Sequence, residues 1–213
     1  MKKIHVMGNG DMAQLFPKEW RHEREGKLMI CNVPPMELGN VYGCGIVDFK
    51  MCKALTKGEV NLDAYQWVMG NRPKMWMDKN PSFFIKHSHH IREFYTDVPK
   101  YCGPNAAQAA TNFNCGHFVT HYSARKHSPD QIHLWGFDSI MDHNMRSFTD
   151  VVLPSDRNRT NNYKLLDVWR PIWNKIFEEF PKIEFVLHHN HANSKVKLPK
   201  NVTVEVHEKK NNL

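Results

Sequence analysis

Gly8-Asn9-Gly10-Asp11 is the stretch of this chain best suited to receive an anion. It comes after a short alternating apolar run, Lys3 to Met7, and its glycines let the backbone turn sharply. Asp11 then stands where it can cap a helix starting near Met12. A strand, a glycine turn and a helix start bring backbone N–H groups and the positive end of a helix to one spot, which favours phosphate. The spacing is not GxGxxG, so there is no dinucleotide fingerprint, and a tight turn without a ligand is the alternative reading. Asp138 stands just past a second apolar run, Gln131 to Trp135, in the position where α/β sites place polar groups. Gly116 opens a helix that Asn114 can cap, and lets backbone come close to a ligand or a sheet.

From Arg72 to Lys100 the texture changes. Trp76, Phe83, Phe84, Phe94 and Tyr95 are interleaved with Lys, Arg and His, and no clean period is present. Bases stack on aromatic rings beside cations, so Trp76, Lys86, His87 and Arg92 are candidate contacts to an acceptor. An irregular insertion with a few buried aromatics is the alternative. The segment 72–110 reads as a lid or excursion over the strand ends.

Other chemistries find no support. His87-Ser88-His89-His90 and His188-His189-Asn190-His191 have neither HExxH spacing nor a CxxC partner. On a strand, His89 and His90 would face opposite ways, so packed or solvated roles are expected, with no metal. There is no GxSxG, no Walker A motif and no cysteine in a catalytic setting. The five cysteines form no CxxC pair, which suits a reduced, cytoplasmic protein. The apolar start is broken by His5 and stops at Gly8, too short for a secretory signal. No run approaches the roughly 18 apolar residues of a membrane helix. The formal charge of +7, with 14 histidines in reserve, favours a polyanionic partner or a phosphate-bearing ligand.

The elements that must position these residues alternate along the chain. Strands are expected at Lys3 to Met7, Lys27 to Asn32, Gly45 to Asp48, Tyr65 to Met69, Gln131 to Trp135, Ile183 to His189 and Asn201 to Val206. Helices are expected up to Gly58, from Gly116 to Lys126, and from Tyr163 to Phe180, the last capped by Asn162 and kinked at Pro171. A polar loop runs from Met141 to Asn162, and the tail after Val206 is expected to fray. Short apolar runs separated by helical stretches mean βαβ units, hence a Rossmann-like, mainly parallel α/β sheet with helices on both faces, over one domain spanning 1–213.

GNG after the first strand, CN at the end of the second, and the late unit CGHFVTHYSARKHSPDQIHLWGFD together resemble the bacterial sialyltransferase-like glycosyltransferases. Those enzymes carry AGNGPSL, RCN and a TSG-helix-strand-G-[IF]-D unit in the same order. The resemblance covers about three fifths of the chain and implies a nucleotide-sugar donor, no catalytic metal and inversion at the anomeric carbon. It implies donor contacts from Gly8, Asn9, Gly10 and Asn32, and from Asn114, Cys115 and Gly116. The chain departs from the family pattern twice. Cys115 replaces the serine of TSG, and the stretch SDRNRTNNYK lacks the family's general-base histidine. The base must then come from Asp138, Asp156 or Asp11, while Arg157 and Arg159 suit the leaving diphosphate. The short length and the Asn-, Trp- and His-rich texture look like a phage protein, and the positive charge with the basic, aromatic segment suggests a polyanionic acceptor. The expected reaction is then transfer from a UDP-sugar to hydroxymethylcytosine in double-stranded DNA, in the host cytoplasm. Transfer to a cell-surface or protein glycan, or a non-catalytic nucleotide-binding module, are the alternatives.

Overall fold

Alternating apolar runs build the sheet: β1 (Lys3–Met7), β2 (Lys27–Cys31), β3 (Val41–Ile46), β4 (Trp67–Met69), β5 (Ile91–Phe94), β6 (Gln131–Trp135), β7 (Glu184–His189) and β8 (Val202–Val206). In the computed structural model, which describes residues 1–20, 25–33, 36–143, 147–149, 153 and 164–208, these strands form one sheet. Their order is β5-β4-β3-β2-β1-β6-β7-β8, and every neighbouring pair is parallel. Parallel pairing needs crossovers, and helices supply most of them: α1 (Phe49–Lys57), α2 (Asn71–Asp78), α3 (Pro81–His87), α4 (Ala106–Asn112), α5 (Cys115–His127) and α6 (Arg170–Glu179).

Both faces of the sheet are covered, because side chains alternate across it. Ile4, Val6 and Met29 face Phe118, Val119, Ile172 and Phe177 of α5 and α6. Met7, Leu28 and Ile30 face Met51, Cys52 and Leu55 of α1 on the other side. Each such fully buried side chain is worth about 1.5–3 kcal/mol. Strands buried on both faces read as continuous apolar runs, which is why KLMIC was recognisable.

The strand β3 begins four residues earlier than expected, because Gly43 and Gly45 hide it from a propensity reading. The glycines are there for packing. A Cβ on Gly45 would lie 2.2 Å from Val119 Cγ2 and 3.1 Å from Phe118, so α5 sits directly on the strand backbone. Gly45→Ala is expected to cost about 1–3 kcal/mol through overpacking. Urea denaturation with an unchanged midpoint would show that α5 has room there.

Segment 72–110 differs from the expected lid. It contributes α2, α3 and α4, and β5 pairs with β4 through Trp67↔Ile91 and Met69↔Phe94. A four-residue, half-buried edge strand carries too little period to be read locally. Pro171 stands in the first turn of α6, directly after a π-helical turn at Leu165–Trp169 that runs into α6 with helical dihedrals at Trp169 and Arg170, so the helix changes its hydrogen-bond period at the proline. Asn162, Tyr163 and the residues after Glu208 lie outside the described residues. Among the described residues, no helix is long and apolar enough to cross a membrane. All five cysteines are buried free thiols.

Candidate functional site

From β1 the chain builds outward through β2 to β5 on one side and through β6 to β8 on the other, so its switch point lies between β1 and β6. Open α/β sheets place ligands in the crevice outside the strand carboxyl ends at such a point. A cleft opens there. Gly8, Asn9 and Gly10 after β1, and Cys31 and Asn32 at the end of β2, form one side of it. Asn114, Cys115 and Gly116 at the start of α5 form another, and Gly136 to Ser139 after β6 close it with Trp169 and Trp173. All seven residues expected to touch the donor around the glycine turn, the CN asparagine and the α5 start meet here, together with Asp138.

Their individual roles differ from expectation at several points. The glycine turn is not an amide cradle. Gly8 N–H donates to Trp135 O at 2.7 Å and Gly10 N–H donates to Gly136 O at 2.9 Å. The chain then enters a short 3₁₀ turn, Asp11–Leu15, whose first amides are taken by Asp138: Met12 N–H donates to Asp138 Oδ1 at 3.1 Å. The Asp138 carboxylate is 3% exposed and sits against Gly10, where a Cβ would come within 2.6 Å of Oδ1. Burial raises its pKa, and hydrogen bonds from the Met12 and Asp11 amides oppose that shift. The chain's own carboxylate thus takes the place proposed for phosphate. Asp11 opens the 3₁₀ turn as a first-turn acid and is not among the cleft-lining residues.

Asn9 is held from behind. Its Nδ2 donates to Cys31 O at 2.8 Å and to Thr149 Oγ1 at 2.7 Å, tying β1 to the end of β2. Its Oδ1 is buried and has no hydrogen bond among the described residues. Asn32 takes a left-handed φ of 59°, and its Oδ1 accepts from the Cys115 thiol at 3.1 Å. Burial pushes the Cys115 thiol well up, so it is a neutral donor and not a nucleophile. The Asn114 side chain accepts from His117 N at 3.0 Å and His117 Nδ1 accepts from Asn114 N–H, a reciprocal cap that employs Asn114 in starting α5. Gly116 is required by packing, since a Cβ there would meet Phe137 at 2.7 Å.

Sequence reasoning missed Asp48, Trp169 and Trp173, which also line the cleft. Asp48 follows β3 as Asp138 follows β6, so the strand-end rule that found one would have found the other. Its side chain is 48% exposed and pairs with Arg72 at 2.7 Å. The tryptophans arrive from a distant helix, and nothing local marks them. Asp48 and Asp138 are the charged groups among the described cleft residues. Asp156, Arg157 and Arg159 lie outside the described residues.

The expected acceptor contacts do not join the cleft. Trp76 packs edge-on against Phe83 at 5.3 Å, and the Arg92 guanidinium lies 4.1 Å over the Tyr42 ring. With Lys86 and His87 they belong to α2, α3 and β5, at the far edge of the sheet from the switch point.

Comparison with protein-family models, with curated proteins and with solved structures found no match for this chain.

Proposed function

We propose that the cleft binds a nucleotide-linked sugar and that the chain is an inverting glycosyltransferase. One observation carries the reading: residues 8–10, 32, 114–116 and 138, far apart in sequence, share a single cleft at the switch point of a parallel sheet. In this reading the start of α5, a helix of 13 residues, faces the donor's diphosphate with its positive end. Trp169, the half-buried tryptophan of the cleft, offers its ring to the base of the nucleotide. Asp48 is the better base, because Asp138 is already engaged with the turn amides. The acceptor hydroxyl gives its proton to a carboxylate as its oxygen bonds to the anomeric carbon. The bond to the nucleotide's phosphate oxygen breaks, and the nucleotide leaves with the electron pair. UDP-sugar is the proposed donor. The formal charge of +7 supports a polyanionic acceptor, with hydroxymethylcytosine in duplex DNA as the substrate to try, where the base must leave the stack.

A thermal-shift panel of UDP, CMP, GDP and NAD tests the cleft. A donor nucleotide at 100 times its Kd is expected to add about 2.7 kcal/mol, hence several degrees. No shift with any nucleotide would end the reading. Asp48→Asn is expected to keep the nucleotide shift and to lose sugar transfer by at least about a hundredfold, in line with removal of a general base. Transfer that survives in the variant would clear Asp48 of that role. A nucleotide shift with neither transfer nor donor hydrolysis in the wild type would favour a binding module, the reading that the engaged Asp138 supports.

A further inference from the structure

We propose that His188, Glu205 and His207 form a binding site for one divalent ion of the zinc class at the carboxyl ends of β7 and β8. His188 and Glu205 are register partners on these adjacent parallel strands, and His207 follows β8 directly. His188 Nδ1 lies 2.8 Å from His207 Nε2 and 3.7 Å from Glu205 Oε2, while His207 Nε2 lies 3.8 Å from Glu205 Oε1. Two imidazoles and a carboxylate converging in this way suit zinc, with a fourth position left for water. Glu205 is 56% exposed and His207 28%, so an ion can enter from solvent.

The ring behind His188 decides its role. His188 Nε2 is 2.9 Å from His133 Nδ1. These contacts allow either proton order, and a metal on Nδ1 selects the one in which His188 Nε2–H donates to His133 Nδ1 and the Nδ1 lone pair faces Glu205 and His207. A ligand imidazole ordinarily donates its other N–H in this way, which fixes tautomer and ring plane. Stacking adds to that restraint: His188 lies parallel on Trp135, its ring centroid 3.4 Å away, and His133 stacks on His5 at 4.8 Å. Zinc–nitrogen bonds of about 2.0–2.1 Å in a tetrahedron put the two nitrogens about 3.3 Å apart. His207, the more exposed ring and the one outside the strand, need only draw back by about half an ångström.

A second convergent group, Asp142, His189 and His191, fails the same tautomer argument. His191 N–H donates to His189 Nδ1 at 3.3 Å, which leaves neutral His189 with its proton on Nε2. That nitrogen faces Asp142 Oδ2 at 3.3 Å, so an N–H and not a lone pair points into the group. Asp142 pairs instead with the outer ring, His191 Nε2, at 2.9 Å, while His189 Nε2 stays buried without a hydrogen bond among the described residues.

The test uses the full chain, stripped with EDTA, titrated with Co²⁺ and followed by visible d–d absorption, with Zn²⁺ added in competition. One equivalent is expected to bind and to be displaced by Zn²⁺. His207→Ala and Glu205→Gln are each expected to weaken binding at least tenfold, His133→Leu about 10- to 100-fold with every ligand still present, and His191→Ala not at all. Circular dichroism confirms that each variant is folded. Should His207→Ala unfold, the exposed Glu205→Gln decides alone. A chain that binds no Co²⁺, or binding lost in His191→Ala and kept in Glu205→Gln, would overturn the site.

Discussion

Asp138→Ala is expected to destabilise the protein by about 3 kcal/mol and to create an anion site that the wild type lacks. The carboxylate accepts from Met12 N–H and sits against the backbone of Gly10. Removing it leaves buried amides of the 3₁₀ turn without their acceptor, at about 1–3 kcal/mol for each group. The same amides, freed at the start of a turn, then suit sulfate or phosphate. Sulfate should therefore raise the melting temperature of the variant by more than it raises that of the wild type. Asp138→Asn keeps the volume and one acceptor oxygen, so it should lose about half as much stability and gain less from sulfate. Equal stability of wild type and the alanine variant would mean that the carboxylate does not cap the turn. This experiment also separates the capping role of Asp138 from catalysis, because stability and anion response are read without substrate.

Acidification from pH 7 to pH 4.5 is expected to remove a large part of the stability, because burial holds down the pKa of several histidines, His127, His133 and His188 among them, and His117 is the one whose share a conservative variant can isolate. Its ring is fully buried in the first turn of α5, with Nε2 facing Trp169 O at 3.1 Å and the ring edge-on to Trp173. Burial lowers its pKa to about 3, from an ordinary value of 6.5. The folded-state pKa is depressed, so between about pH 6.5 and pH 3 the unfolded chain binds the extra proton. Stability is therefore full above pH 6.5 and falls as pH drops through that window. The slope is roughly 1 kcal/mol or more per pH unit, against a total of about 5–15 kcal/mol for a typical domain. His121, buried one turn later and facing Tyr95 and Glu179, is moved down chiefly by burial as well. Asp138 works the other way, since its raised pKa favours the folded state as it protonates. His117→Gln isolates the effect, because Gln in the third helical position preserves the reciprocal cap. Its urea midpoint should fall less steeply between pH 6.5 and pH 5 than that of the wild type. Parallel slopes would assign the acid sensitivity elsewhere.

The architecture and the meeting place of the cleft residues were legible in the chain alone. The doubly buried strand KLMIC reads as a nearly continuous apolar run and QIHLW as an alternating one, and short βα spacing points to a parallel sheet with helices on both faces. Gly8 to Gly10 and Asp138 could be read as cleft residues because each sits just past a strand, and Asn32 through the family resemblance; parallel strands put all their carboxyl ends on one edge. Their roles there came from tertiary packing. Adjacency of β1 and β6 spends the amides of Gly8 and Gly10 on Trp135 and Gly136, and brings Asp138 to the turn that phosphate was expected to fill. The glycines at 45 and 116 answer to Val119 and Phe137, contacts that no local pattern encodes. Strand β5 joined the sheet although its own period is weak, since an edge strand is held by its neighbour β4. His188 meets Glu205 through strand register, and His133 fixes its ring from a third strand. A local period reports which face of an element is buried, whereas hydrogen-bond partners and charge neighbours depend on which strands lie side by side.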